Sequence, residues 1–312
     1  MKTISFVALS IAAFFISEIE KLNAQTAVKP LSNITLIAST PGDSLIKTLL
    51  DIPQVTNIDF IRWDLTLTST ESNNFQLNII YGVSKPNTSG FIDGGEKRLI
   101  KGLYSISKSK NGELKGDVFE LHNGKNRTPI SFIKLNDNLF HILTPDHKLM
   151  VGNGGWSYTL NRKVSSENMS STLPDLTPSV SLLKTSRPIE IFEGRTPCLD
   201  LASQYNWDVD KDCLKLKWKL TLFRDSITQL PTTYNLKHTL HRSSDIVGKW
   251  TILKGFGQNP NAVVYQLDPD KSSQSLFFLV GDENVLFFLD KKQQLFIGDN
   301  NFSFTLNRKI TH

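Results

Sequence analysis

The chain has 312 residues, of which 39% are hydrophobic and 21% are charged. This length and composition predict a folded globular protein with room for two domains of ordinary size. The formal net charge is +5, but lysines and arginines alternate with apolar residues and form no long basic run, so we do not expect a nucleic-acid-binding surface.

Residues 1–25 have the features of a cleavable signal peptide. Lys2 supplies a positive charge, residues 4–16 are apolar but too few to span a bilayer, and residues 22–25 offer a cleavage region. No cysteine lies near that region, and no later segment is apolar for long enough to form a membrane helix. We therefore expect an exported protein, periplasmic or secreted, with neither an N-terminal lipid anchor nor a transmembrane segment.

An internal repeat divides the rest of the chain. Residues 152–163 read GNGGWSYTLNRK and residues 298–309 read GDNNFSFTLNRK, and residues 102–163 as a whole align with 248–309 without a gap at a constant offset of 146. Self-similarity on this scale predicts two copies of one domain. We place the first domain at 26–163, a linker rich in Ser, Thr and Pro at 164–187, and the second domain at 188–312.

The hydrophobic pattern of both copies predicts β-strands. Residues 214–222, LKLKWKLTL, alternate between apolar and polar, which is typical of a strand with one buried face. Further short runs lie at 234–240, 248–253, 263–267, 276–280, 285–289, 295–297 and 302–306, and only residues 200–207 suggest a short helix. A meander of about eight strands favours closure, so we predict an all-β protein of two tandem antiparallel meander β-barrels, with a flat sandwich as the alternative.

Two tryptophans hold matching places in the repeat. Trp63 and Trp218 lie at the start of the long strand in each copy. We expect both to pack in the cores, and lining of a pocket is the alternative role.

The motif that ends each copy is the strongest repeated feature. Asn161 and Arg162 in the first copy correspond to Asn307 and Arg308 in the second. A catalytic role would need a base, and no histidine or acidic residue near the motif is shared by both copies. We therefore predict a structural role, in which the amides and guanidinium groups close each barrel by bonding backbone carbonyls at a strand end.

The two cysteines of the chain both lie in the second copy. Cys198 and Cys213 align with Gly42 and with either Asn57 or Ile58, so both thiols are absent together from the first copy. Paired presence and absence predicts a structural disulfide, which an exported location permits. A thiolate metal site is the alternative, but no further cysteine or histidine ligands accompany the pair, so we predict neither a metal nor another cofactor.

Two histidines are specific to the first copy. His141 and His147 stand where the second copy has Phe287 and Gln293. We interpret them as surface or edge residues.

One segment of the second copy resembles a known family. Residues 192–201, FEGRTPCLDL, followed by LKWKLTL at 216–222, look like the N-terminal domain of the NlpE family. That resemblance implies a bacterial envelope protein with a small lipocalin-like barrel, in a family linked to copper tolerance and envelope-stress signalling. The family's metal-reactive Cys-x-x-Cys is incomplete, because Cys198 is followed by Leu-Asp-Leu, so the resemblance supports the fold more than copper handling.

The sequence as a whole favours a non-enzymatic protein. We expect an exported envelope protein of two NlpE-like barrels, monomeric, acting as a binding or sensing module for an unidentified small ligand or envelope protein. One alternative is a carrier of a small apolar ligand inside a barrel. Another is an undescribed hydrolase, which would need an acid or histidine beside a hydroxyl in one pocket.

Overall fold

A computed structural model of the chain describes residues 32–309 except for 70–71, 110–113, 126–127, 164–186, 241–244 and 257–258. The described residues form two closed antiparallel barrels of eight strands each. This confirms the predicted all-β class and the two tandem barrels, and it excludes the flat sandwich. The proposed signal peptide, and the proposed linker apart from Arg187, lie outside the described residues.

The first barrel follows chain order around its circumference, and its last strand pairs with its first. Its strands are β1 (Ser32–Pro41), β2 (Phe60–Ser69), β3 (Asn74–Gly82), β4 (Glu96–Lys108), β5 (Asp117–His122), β6 (Ile130–Lys134), β7 (Leu139–Ile142) and β8 (Thr159–Arg162). Helix α1 (Ser44–Leu49) follows β1, and a 3-10 turn (Ile92–Gly94) precedes β4.

The second barrel repeats this order, and β16 closes onto β9. Its strands are β9 (Ile189–Thr196), β10 (Leu216–Arg224), β11 (Pro231–His238), β12 (Ile246–Phe256), β13 (Asn259–Leu267), β14 (Phe277–Val280), β15 (Val285–Leu289) and β16 (Thr305–Arg308). Helix α2 (Leu199–Tyr205) follows β9, close to the short helix expected at 200–207.

The strands expected from the sequence differ from those of the structure at two places. Residues 295–297 are not a strand, since Leu295 forms only an isolated bridge with Leu289. Strand β9 was missed because its inward side includes Glu190 and Gly194, so it shows no alternation of apolar and polar residues. Burial in β9 alternates all the same, which shows that the barrel imposes the strand on a sequence with a weak local signal.

Each barrel is filled by its own side chains. Trp63 and Trp218 are 1% and 3% exposed, and each indole Nε1 donates a 2.8 Å hydrogen bond to a threonine of the neighbouring strand, Thr40 or Thr196. Aromatic rings occupy the centres: Phe119, Phe132 and Phe140 contact one another in the first barrel. In the second barrel Phe288 contacts both Phe278 and Phe304.

The cysteines form the predicted disulfide. Cys198 and Cys213 are bonded, with their Cα atoms 5.7 Å apart, and they tie the start of helix α2 to the approach to β10. In the first barrel the aligned Gly42 contacts Ile58 instead, so closely that a Cβ on residue 42 would lie 2.4 Å from Ile58 Cγ2. An apolar contact therefore stands where the second copy has a covalent bond.

Removing the disulfide should destabilise the second barrel. The double variant Cys198→Ala, Cys213→Ala should lose about 3 kcal/mol of unfolding free energy, because the unfolded chain regains the entropy of the open loop. Urea unfolding followed by circular dichroism measures this, and reduction of the unaltered protein should give a similar loss. Equal stability of the oxidised and variant proteins would rule out a structural role for the bond.

The tight contact at Gly42 gives a second prediction. Gly42→Ala should cost roughly 1–3 kcal/mol, because the new methyl group overlaps Ile58. Combining it with Ile58→Gly should cost less than the sum of the two single changes, which a double-mutant cycle measures. Gly90→Ala is the matched control, since its Cβ would lie 3.6 Å from the nearest atom. Strict additivity would contradict the contact.

Candidate functional site

The closing strands β8 and β16 meet at an interface between the barrels. The hydroxyl of Ser157 contacts that of Ser303, and the hydroxyls of Thr159 and Thr305 lie 2.9 Å apart. All four side chains are buried. Contact between a residue and its own counterpart is the signature of a twofold interface, so the two barrels associate in the manner of a symmetric dimer.

The repeated asparagines make reciprocal bonds across this interface. Asn161 Oδ1 accepts from the backbone N–H of Gly298 at 2.8 Å, and its Nδ2 donates to the carbonyl of Asp299. Asn307 Oδ1 likewise accepts from Gly152 at 2.7 Å, while its Nδ2 is buried without a partner among the described residues. The sequence predicted amides that close their own barrels; the amides instead join one barrel to the other.

The repeated arginines stay within their own barrels. Arg162 Nη1 donates to the carbonyl of Asp137 at 3.4 Å, and Arg308 Nη1 donates to the carbonyl of Glu283 at 3.1 Å. The guanidinium groups therefore bond backbone carbonyls, as the sequence suggested.

An apolar cluster completes the interface. Strands β5–β7 and β13–β15 each present an outer face that is buried against the other barrel. Its members are Leu114, Val118, Ile133, Leu135, Leu139, Leu143 and Leu149 from the first barrel, and Ala262, Val264, Leu279, Val285, Phe287, Leu289 and Leu295 from the second. Burial on both faces explains why β15 reads VLFFL with no polar residue.

His141 lies inside this interface and is fully buried, so the expectation of a surface histidine was wrong. Its Nε2 lies 2.9 Å from the carbonyl of Met150 and must be the protonated nitrogen, so Nδ1 accepts from the hydroxyl of Thr159 at 3.0 Å. The ring packs edge-to-face against Phe287, its counterpart in the second copy. Burial lowers the pKa of His141 to about 4.

The pair His141 and Thr159 resembles the histidine and hydroxyl that a hydrolase would need. Both side chains are buried, with exposed fractions of 0% and 2%, and the same hydroxyl also contacts Thr305. The hydroxyl of Thr159 thus bridges the histidine and the other barrel, which gives the pair a place in the interface.

A cleft of about 340 Å³ opens beside the interface, with walls from both barrels. Five cationic side chains line it, and no carboxylate is among the lining residues. These cations are Arg62, Lys85, Arg195, Lys215 and Lys217. Such a concentration of one charge favours an anion as the ligand.

Three cationic side chains of the second barrel line the cleft without an ion-pair partner among the described residues. The guanidinium of Arg195 lies over the ring of Trp156 at 5.1 Å, and Lys215 Nζ lies 5.6 Å from the ring of Phe302. Within the part of the chain that the structure describes, neither these two nor Lys217 forms a salt bridge. Burial lowers the pKa of Arg195, and burial followed by the charges of Arg195 and Lys217 lowers the pKa of Lys215.

Arg62 extends toward the same cleft from β2. Its Nη2 donates to the carbonyl of Ser89 and to Asn301 Oδ1 at 2.9 Å, while its buried Nε has no partner among the described residues. Burial lowers the pKa of Arg62, and the nearby charge of Asp299 opposes that shift. Asp299 Oδ1 already accepts from the backbone N–H groups of Asn301 and Phe302, so this carboxylate is directed toward its own turn.

The two copies contribute unlike walls to the cleft. Arg195 and Lys215 align with Ser39 and Phe60 of the first copy. Phe60 stacks on Trp156 with ring centroids 4.8 Å apart, so the first barrel supplies an aromatic wall and the second a cationic one.

The connection between β3 and β4 forms a further wall of the cleft. It comprises residues 83–95 and is longer than the corresponding connection of the second barrel, residues 239–245. Sequence reasoning missed the cleft, although the unequal connections and the copy-specific cations were visible signals.

Both sulfur atoms are held in the disulfide, and within the described ranges no three His, Cys, Asp or Glu side chains lie close enough to hold a metal ion. None of the described helices is long and apolar enough to cross a membrane.

The chain matches no protein-family model, and no curated protein or solved structure gives a significant match. The resemblance to the NlpE family therefore stays a prediction from the sequence.

His141 should make stability fall in acid. Its folded pKa of about 4 lies below the ordinary value of 6.5, so the unfolded chain takes up a proton first as the pH falls. The free energy of unfolding therefore falls as the pH drops from 6.5 to 4. At 1.36 kcal/mol per pKa unit, the loss due to His141 is roughly 3 kcal/mol. Urea titrations across this range measure it.

The control is His141→Phe, which introduces the residue that the second copy has at this position. Other groups titrate alike in both proteins, so the difference between their pH profiles isolates His141. Parallel profiles between pH 7 and pH 4 would show that the histidine is not held neutral.

Proposed function

We propose that this protein is a non-catalytic binding protein that holds a small anionic ligand in the cleft between its barrels. The observation that supports this proposal is the convergence of five cations on a cleft without a lining carboxylate. Arg195 and Lys215 are partly buried and form no salt bridge within the described residues, which raises the energy of the empty site, and an anion that pairs with them is stabilised in return.

The polar groups of the cleft indicate the chemistry of the anion. Guanidinium groups such as that of Arg195 match phosphate, sulfate and carboxylate in geometry, and ammonium groups add charge. The hydroxyls of Ser84 and Thr88 also line the cleft and can donate to oxyanion oxygens. Its volume lies at the small end of the range for ligand sites, so we favour a compact oxyanion or a small molecule that carries one.

An envelope role belongs to the same proposal. The signal-peptide pattern and the disulfide both favour an oxidising compartment outside the cytoplasm. Sensing of envelope stress rests on the resemblance to the NlpE family. Copper capture by thiolates is less favoured, because the disulfide occupies both sulfur atoms.

The alternative, a carrier of a small apolar ligand inside a barrel, has less support, because of how the barrel centres are packed. Phe132 and Phe140 in the first barrel, and Phe278 and Phe288 in the second, are at most 1% exposed. The centres are therefore packed with the protein's own rings, as the interior of a small barrel commonly is.

Calorimetric titration of the full chain with phosphate, pyrophosphate, sulfate and citrate tests the proposal. We expect saturable binding that weakens as salt is added. Arg195→Ser, which introduces the residue of the first copy, should weaken binding tenfold or more, because an ionic hydrogen bond is lost. Lys254→Ser is the matched control: it removes one charge from an exposed position on β12, outside the cleft.

Vesicles of anionic phospholipid form a separate arm, since a lipid headgroup carries the same phosphate chemistry. Binding to vesicles alone would identify a headgroup as the ligand. Equal weakening by Arg195→Ser and Lys254→Ser, or no binding of any anion, would contradict the cleft as the site.

A further inference from the structure

A second pocket, of about 290 Å³, lies at one end of the second barrel, between helix α2 and strands β11–β13. Its walls combine apolar side chains, among them Trp207, Leu236, Ile246 and Leu276, with polar ones such as Ser273 and Gln274. No lysine or arginine is among its lining residues, and its carboxylate is that of Asp268. It thus differs in charge and in composition from the cleft between the barrels.

The carboxylate of Asp268 is fixed in place. Its Oδ2 accepts from the hydroxyl of Tyr234 at 2.6 Å, and a Cβ on Gly248 would lie 2.2 Å from Oδ1, so the carboxylate packs directly against that backbone. Asp268 also has a φ of 50°, a left-handed conformation that few residues other than glycine, asparagine and aspartate adopt. Backbone strain of this kind is frequently found at ligand sites.

The charge of Asp268 is only weakly compensated. Its side chain is 14% exposed, and Lys271 Nζ, on a side chain that is 60% exposed, lies 3.9 Å from Oδ1. A carboxylate beside apolar walls is costly unless a cation pairs with it. A ligand cation that enters the pocket would supply that pairing without the solvent screening that weakens the contact with Lys271.

An aromatic stack forms one wall of the pocket. The ring of Trp207 stacks on His238 with centroids 5.3 Å apart and on Tyr205 with centroids 5.2 Å apart. Tyr205 is anchored by a hydrogen bond to the carbonyl of Ser275, and Lys291 lies over its ring while donating to the carbonyl of Gln204. The stack is therefore rigid and presents apolar surface to a ligand.

The pocket is specific to the second copy. Strand register pairs Trp218 with His238 just as it pairs Trp63 with Ile79, which aligns β11 with β3. The first copy has Ile52, Ile79 and His122 where the second has Trp207, His238 and Asp268. Ile52 and Ile79 are buried in the core cluster of the first barrel.

We infer that this pocket binds a small apolar amine as its ammonium ion, with the nitrogen beside Asp268 and the hydrocarbon body against Trp207 and Leu276. The site shares no residue with the anion cleft. It therefore stands or falls independently of the proposed anion-binding function.

Titration of the full chain with three matched compounds tests this site: 2-phenylethylamine, 2-phenylethanol and 3-phenylpropionate. Calorimetry and the fluorescence of Trp207 and its neighbours report binding. We expect the amine to bind at least tenfold more tightly than the alcohol, and the carboxylate to bind most weakly. Asp268→Asn should abolish the preference for the amine, because asparagine keeps the shape and tolerates the left-handed backbone without the charge.

The control variant is His122→Asn, at the aligned position of the first barrel, which should leave the preference unchanged. Equal binding of amine and alcohol, no binding of the amine, or a preference that survives Asp268→Asn would each overturn the inference. Should Asp268→Asn fail to fold, the ranking of the three compounds on the unaltered protein still decides the question.

Discussion

The reciprocal bonding between the two closing motifs, residues 152–163 and 298–309, is the interaction on which the rest of the structure depends. Asn161 and Asn307 find partners on the opposite barrel, and the hydroxyls of Ser157 and Ser303 pair with each other. Separation of the barrels would exchange these hydrogen bonds for bonds to water, at a small net cost, and would expose a large apolar cluster, at a larger one. The cleft between the barrels has walls from both of them, so it exists only because this interface holds the barrels together.

Duplication followed by divergence explains how one fold carries unlike features. At the hydroxyl and amide contacts of the interface the copies keep the same residues, because a twofold contact constrains both partners at once. Away from it they differ: a disulfide replaces the contact of Gly42 with Ile58, and Arg195 replaces Ser39. Each difference is tolerated because the barrel core keeps its tryptophan, its threonine partner and its aromatic centre in both copies.

The two candidate sites divide the recognition chemistry between them. The cleft between the barrels concentrates positive charge on partly buried side chains such as Arg195 and Arg62. The pocket of the second barrel pairs one fixed carboxylate, Asp268, with apolar walls. Opposite charges at separate places favour two independent ligands, because the two sites share no lining residue.

The sequence by itself determined the duplication, the strand meander and the disulfide, because each depends on local alternation or on comparison of one copy with the other. Strand β9 escaped detection, since Glu190 and Gly194 on its inward side hide the alternation that barrel closure imposes. The tertiary structure alone decided that Asn161 bonds the other barrel, that His141 is buried, and that cations from distant strands line one cleft. These features depend on how two closed barrels pack against each other, and no periodicity within a single strand encodes which of its faces the other barrel will cover.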